Sequence, residues 1–163
     1  MSQYQQIPGT PKENLRATRI VFVAIVSGAV IFAIIIFAIN KMQDDLAPKT
    51  KEYANLFLYL SSAIAAFCLA IAISGYKKGI VPAKDSLIPL QDKLNIYRAT
   101  LIRYIALCEG SALFSIIAFF LTGSYYLFLI TALSIAVMLL KAPTRQRVSD
   151  DLALDWKQQQ ELE

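Results

Sequence analysis

The chain contains no histidine among its 163 residues. That absence removes the usual ligands of haem and copper and those of most zinc sites. It also removes the commonest general base and the Ser-His and Cys-His pairs of nucleophilic catalysis. The two cysteines, Cys68 and Cys108, lie in different apolar runs, where cysteine behaves as a small hydrophobic residue. We therefore expect no enzyme active site, no metal, no cofactor and no disulfide.

Long stretches of the chain also lack charge. Hydrophobic residues make up 56% of the sequence, above the roughly 45–50% of a soluble domain. Residues 20–40 contain no charged side chain and are long enough to cross a bilayer. This run is too long for the core of a signal peptide, and no small-residue cleavage pattern follows it. The sequence therefore predicts one small membrane domain.

Four apolar runs predict an all-α fold with four transmembrane helices. The break at residues 122–124 is so short that the last two helices must form an antiparallel hairpin. We expect two such hairpins in a bundle, with a flexible tail before them at residues 1–18 and another tail after them at residues 142–163. The predicted spans cover about residues 20–40, 53–76, 99–122 and 125–141.

The C-terminal tail carries apolar residues at a helical spacing. Val148, Leu152 and Trp156 recur every four positions, and Thr144 is suited to cap a helix after Pro143. This pattern predicts an amphipathic helix that lies on the membrane surface or on a partner. A frayed, solvated tail is the alternative.

Lysine and arginine predict the orientation, because cytoplasmic segments carry an excess of them. Thirteen of these residues fall on the side of both termini and of the middle loop, and three fall on the other side. We therefore expect both termini in the cytoplasm. The basic residues flank apolar runs and form no separate patch, so no nucleic-acid partner is expected. Tyrosines fit the two borders, with Tyr76, Tyr97 and Tyr104 inside and Tyr53, Tyr125 and Tyr126 outside.

Small residues recur on the predicted spans. Membrane helices associate through close packing, so such residues mark contacts between helices. On the second span they repeat every four residues and form one continuous stripe. We expect them to form helix contacts, with the lining of a pore as the alternative. They are Ala24, Gly28, Ser62, Ala66, Ala70, Ser74, Ser111 and Ser115.

Glu109 is an acidic residue inside the third span. It lies six residues after Arg103, or about 9 Å along a helix. Ser27, Thr131 and Ser134 fall at a similar depth, which predicts a weakly polar layer. An intramembrane carboxylate is a functional candidate by default. Glu109 can therefore be a structural acid that fixes helix packing, a site of ion or proton coupling, or a contact to a partner.

The stretch from Asp92 to Leu154 resembles a family of uncharacterised small membrane proteins of Bacteroidetes-type bacteria. The similarity lies in "DKLNIYR", "IRYIALCEGSALF", "FFLTG" and "APTRQRVSDDLALD". Glu109-Gly110 and Pro143-Thr144 are its most recognisable points. The resemblance implies four spans in the bacterial inner membrane and no assigned activity.

These observations favour a non-enzymatic integral membrane protein that acts as a scaffold or accessory subunit of a larger assembly. Its expected partners are the lipid bilayer and either other membrane subunits or further copies of itself. The alternative is a small ion- or proton-coupled transporter that uses Glu109 as its titrating site. A membrane enzyme is disfavoured, since the paired acids Asp44-Asp45 and Asp150-Asp151 lie in polar flanks.

Overall fold

The described part of the protein is all-α. A computed structural model describes residues 10–42 and 53–161, and every regular element in these ranges is helical. Residues 43–52, which include the paired acids Asp44 and Asp45, lie outside the described residues. Three helices are long and apolar enough to cross a membrane, and a fourth apolar helix is shorter. In chain order the α-helices are α1 (Pro11–Met42), α2 (Ala54–Ile80), α3 (Leu90–Thr122), α4 (Tyr125–Leu139), α5 (Arg145–Leu152) and α6 (Trp156–Gln160), and a short 3₁₀-helix, Val81–Lys84, follows α2.

Helix α1 begins inside the segment that the sequence predicts as a flexible tail. Thr10 and Glu13 form a capping box, in which the Thr10 amide donates to the Glu13 carboxylate at 2.8 Å and the Glu13 amide donates to the Thr10 hydroxyl at 3.4 Å. Pro11 occupies the first helical position, where its missing N–H costs nothing. Leu15 and Thr18 are buried. Residues 11–18 are therefore the first turns of α1, and residues 1–9 lie outside the described ranges.

Helix α3 lies at the centre of the bundle. In the most apolar stretch of 18 residues, half of the residues of α3 are buried, whereas 17% are buried in the corresponding stretches of α1 and α2. It packs against α1, α2 and α4, whereas α1 packs on α3 and α4 rather than along α2. The first two helices therefore do not form a packed pair of their own, because the face that each buries is directed at α3.

Polar contacts fix the directions of the helices around α3. At one end Asn40 Nδ2 donates to the carbonyl of Phe119 at 3.1 Å, so α1 and α3 run parallel. At the other end Arg19 Nε donates to the carbonyl of Pro143 at 2.8 Å. We call this second end, where α1 starts and α5 lies, the basic end, since most lysines and arginines are there.

Helices α3 and α4 form a tight antiparallel pair. Gly123 ends α3 in the left-handed conformation, with a φ of 69°, and its amide donates to the carbonyl of Phe119 at 2.7 Å. The Tyr104 hydroxyl donates to the carbonyl of Val137 at 2.7 Å, which ties the two helices near the basic end. Helix α4 has 15 residues and is about 22 Å long, shorter than a hydrocarbon core of about 30 Å.

The segment after α4 folds back onto the bundle. Thr144 caps α5, because its hydroxyl accepts from the Arg147 amide at 3.3 Å. Val148 and Leu152 are fully buried in the core of this chain, so they do not face a membrane surface or a partner. The helix ends at Ala153, whose φ is 49°. Trp156, which the spacing places on the same face, begins a separate helix and is 73% exposed.

Large apolar side chains cover the outer surface of the bundle. Ile31, Phe67 and Leu129 are among those that no other part of the described chain covers. Such a surface is unfavourable in water and suits contact with the acyl chains of a bilayer. The exposed apolar helices therefore agree with a multi-pass membrane protein.

Helices α2 and α3 are in close contact at Gly79. A Cβ atom built there would lie 2.8 Å from both Cγ2 and Oγ1 of Thr100 and 3.4 Å from its Cβ. Thr100 is buried and β-branched, and a helix restricts its χ1 angle to two main rotamers. If residue 79 gains a side chain, either Thr100 or the two helices must therefore shift.

We expect Gly79→Ala to destabilise the purified protein by about 1–3 kcal/mol, the usual cost of overpacking. The measurement is the unfolding midpoint in detergent. Gly28→Ala is the matched control, because a Cβ at Gly28 meets nothing within 4 Å. Replacing the helical glycine at this position by alanine should raise the free energy of unfolding by about 0.5–1 kcal/mol. Equal effects of the two substitutions would contradict a tight contact at Gly79.

Candidate functional site

Glu109 lies on the flank of the buried face of α3. It is half-buried, next to the buried residues Ile105 and Ala112 and close to the exposed Ile102. Among the described residues its carboxylate makes no hydrogen bond and no ion pair. It lies about 9 Å along the helix from Arg103 and about 15 Å from Phe119. Residues 10–42 and 53–161 therefore leave a carboxylate without a hydrogen-bond or ion-pair partner in the middle part of α3.

Four hydroxyl side chains form a seam between α3 and α4, which we call the hydroxyl seam: Ser111, Ser115, Thr131 and Ser134. The Ser111 hydroxyl donates to that of Ser134 at 3.0 Å, and Ser134 donates to the carbonyl of Ile130 at 3.0 Å. Thr131 donates to the carbonyl of Leu127 at 3.3 Å, and Ser115 to that of Ser111 at 3.0 Å. These bonds satisfy the hydroxyls within the pair of helices.

The hydroxyl seam contains two members of the expected polar layer, Thr131 and Ser134, but Glu109 and Ser27 lie elsewhere. Ser111 follows Glu109 by two residues and therefore projects from nearly the opposite side of α3. Ser27 is exposed, and its hydroxyl donates to the carbonyl of Val23 at 2.7 Å. The structure therefore does not bring Glu109 to any of the hydroxyls that the sequence places at its depth.

The small residues predicted as helix contacts divide into two groups. Ser111 and Ser115 are buried in the hydroxyl seam. The others face away from the remaining helices of the described chain, and a Cβ at Gly28 would meet nothing within 4 Å. The exposed members are Ala24 and Gly28 on α1, and Ser62, Ala66, Ala70 and Ser74 on α2. We call the α2 set the outer small-residue stripe.

The basic end contains a polar cluster that the sequence did not reveal. The Tyr76 hydroxyl donates to Asp151 Oδ2 at 2.6 Å, which joins α2 to α5. Lys141 Nζ lies 3.9 Å from the same oxygen and 4.4 Å from the centroid of the Tyr76 ring. The Tyr104 ring contacts the Tyr76 ring edge-on, with centroids 5.4 Å apart. Asp151 is therefore a structural acid rather than a solvated one.

Tyr76, Tyr97 and Tyr104 are buried in the bundle, whereas Tyr53, Tyr125 and Tyr126 are exposed at the opposite end. Tyr97 and Tyr104 are seven residues apart and share a helical face with Leu94 and Leu101. That spacing was the available sequence signal for burial. The buried Tyr97 hydroxyl has no hydrogen-bond partner among the described residues.

No protein-family model, curated protein or solved structure matches this chain. Within residues 10–42 and 53–161, no group of three or more Cys, Asp or Glu side chains is placed to hold a metal ion. The resemblance to small bacterial membrane proteins stays an expectation. The residues that require a functional account are therefore Glu109 and the exposed small residues.

We expect Tyr76→Phe to loosen α5, because the hydroxyl that holds Asp151 is lost. A hydrogen bond to a charged group contributes about 1.5–3 kcal/mol. Amide hydrogen exchange of residues 145–152 should rise on the order of tenfold. Tyr126→Phe is the matched control, since Tyr126 is 68% exposed at the opposite end of the bundle. Unchanged exchange in α5 would show that the Tyr76–Asp151 bond does not hold it.

Proposed function

We propose that the protein is a non-enzymatic, multi-pass membrane subunit that assembles with other membrane chains. The observation that supports this function most directly is Glu109. A carboxylate at membrane depth is costly unless it is paired or hydrogen-bonded. Glu109 has no such partner among the described residues of its own chain. A hydrogen-bond donor or a positive charge from another chain supplies the partner for this carboxylate.

The outer small-residue stripe supports the same function. Ser62, Ala66, Ala70 and Ser74 follow one another at intervals of four residues on an exposed face of α2. A second helix can approach such a surface more closely than it can approach bulky side chains. The exposed hydroxyl of Ser74 bonds only to the carbonyl of Ile71 in the described residues, at 3.2 Å. The stripe therefore suits a neighbouring transmembrane helix.

The proposed arrangement has four spans, with both termini in the cytoplasm of a bacterium and the bundle in the inner membrane. Helix α4 is the fourth span. Its length of about 22 Å is extended by Lys141, whose long side chain reaches the polar border. The excess of lysine and arginine at the basic end supports this orientation.

We expect a membrane-impermeant thiol reagent to label Tyr126→Cys in intact cells and to leave Glu161→Cys unlabelled. The reason is that Tyr126 lies at the end opposite the basic one, whereas Glu161 follows α6 at the basic end. Labelling is measured by gel shift, with permeabilised cells as the positive control and the unsubstituted protein as the background from Cys68 and Cys108. The reverse pattern would contradict the proposed orientation.

We expect Ala66→Leu and Glu109→Gln each to weaken assembly with partner chains. Leucine at residue 66 holds a neighbouring helix away from α2, and glutamine at residue 109 cannot form a charged pair. The measurement is purification from native membranes in a gentle detergent, followed by mass spectrometry of the chains retained in stoichiometric amount. Ala136→Leu is the matched control, because Ala136 is an exposed alanine on α4 outside the stripe.

Retention of the same partners by both variants would contradict the proposed function. The second candidate, an ion- or proton-coupled transporter, is favoured by the same carboxylate of Glu109, which has no partner in the described part of the chain. It predicts an oligomer of this chain alone, with proton flux in proteoliposomes that Glu109→Gln abolishes. A subunit of a larger assembly shows no flux in either form and loses partners instead. The two assays therefore separate the candidates.

A further inference from the structure

A groove runs between α2 and α3 on the outside of the bundle. It encloses about 190 Å³, less than the roughly 300–1,000 Å³ of sites that enclose a whole small molecule. Its lining spans Ile71 to Gly79 on α2 and Thr100 to Leu107 on α3. Eight residues of helix correspond to about 12 Å along the axis. The groove therefore suits part of an elongated molecule whose remainder lies outside the protein.

The polarity of the lining changes along the groove. Because α2 and α3 are antiparallel, Gly79 and Thr100 lie together nearest the basic end. Ile71 and Leu107 lie farthest from that end and are apolar. Arg103 lies between these two ends of the groove, about 4.5 Å along α3 from Thr100. The groove is therefore polar and positive towards the membrane border and apolar towards the interior of the bilayer.

Two polar side chains in the groove have no hydrogen-bond or ion-pair partner within residues 10–42 and 53–161. Thr100 is 8% exposed, and its hydroxyl makes none of the side-chain hydrogen bonds found among the described residues. Arg103 is exposed, and no carboxylate of the described residues forms an ion pair with it. No acidic side chain of the described chain lines the groove. An anion in the groove can accept hydrogen bonds from the Thr100 hydroxyl and from the Arg103 guanidinium, and it then provides a partner for each.

The walls of the groove are held in place before any ligand binds. The Tyr104 hydroxyl is tied to Val137 on α4, and the Tyr76 hydroxyl is tied to Asp151 on α5. Gly75 leaves the floor open, since a Cβ there would meet nothing within 4 Å. Binding therefore does not need to order the tyrosines, and preorganisation of this kind favours affinity.

We propose that this groove binds one anionic phospholipid. The phosphate of the headgroup accepts from the guanidinium of Arg103 and from the hydroxyl of Thr100. The first part of an acyl chain lies over Gly75, between Ile71 and Leu107, and the rest of the lipid remains in the bilayer. The lipid is recognised by its negative charge, because guanidinium binds phosphate through charge-assisted hydrogen bonds.

The test is lipid titration of the delipidated, purified protein in detergent, followed by native mass spectrometry. Phosphatidylglycerol is the probe, and phosphatidylcholine with the same acyl chains is the zwitterionic comparison. We expect one phosphatidylglycerol to bind more tightly than phosphatidylcholine. Arg103→Gln removes the charged donor, and Gly75→Leu fills the floor of the groove. Each should weaken phosphatidylglycerol binding by about tenfold or more, since the first variant loses a charge-assisted bond and the second loses the space for the acyl chain.

Two control variants match these changes in chemistry. Lys77→Gln removes a positive charge near the same membrane border, but Lys77 projects from α2 on nearly the opposite side from Gly75. Gly28→Leu adds the same bulk at an open position of α1. Both should retain the affinity of the unsubstituted protein for phosphatidylglycerol.

Three results would overturn the proposal. Equal losses for Lys77→Gln and Arg103→Gln would mean that the lipid responds to overall charge and not to the groove. Displacement of phosphatidylglycerol by millimolar inorganic phosphate would mean that the site takes a free anion. A change of oligomeric state in Gly75→Leu, with lipid binding unchanged, would mean that the groove holds a helix.

Discussion

The close approach of α2 to α3 at Gly79 and Thr100 determines the arrangement of the basic end. Lipid tails are as apolar as leucine, so membrane helices gain little by burying apolar surface against each other. A glycine lets the two helices come close enough for many atoms to gain dispersion energy, which a bulky residue would prevent by holding the helices apart. It also brings Tyr76 against Tyr104, and Tyr76 then holds Asp151. The position of α5 therefore depends on a contact between two other helices.

The apolar helices could be predicted because hydropathy is a property of the linear chain, whereas the faces they bury could not. On α2 the residues Ser61 and Ala65 are buried, and their neighbours Ser62 and Ala66 are exposed. Both pairs are small, and they differ by one residue, or by a rotation of about 100°. Nothing local distinguishes the two faces. The choice is made by α3, which supplies Thr100 opposite Gly79.

The polar cluster at the basic end shows that the partners of charged residues also could not be predicted from the local sequence. The sequence places the pair Asp150-Asp151 in a polar flank, where both carboxylates are expected to be solvated. The structure leaves Asp150 exposed but brings Asp151 to a tyrosine 75 residues earlier in the chain. Such a contact exists only once α5 has turned back after Pro143. The capping signal of Thr144 predicted that α5 begins there, yet it carried no information about where α5 would dock.

Glu109 and Arg103 have opposite charges on one helix, yet helix geometry prevents them from neutralising each other. Six residues separate them, which rotates one about 240° from the other and places them about 9 Å apart along the axis. Pairs three or four residues apart would meet. Each charge must therefore be satisfied from outside the helix and from a different side. The proposed partner chain at Glu109 and the proposed phospholipid at Arg103 use separate surfaces, so occupation of one leaves the other open.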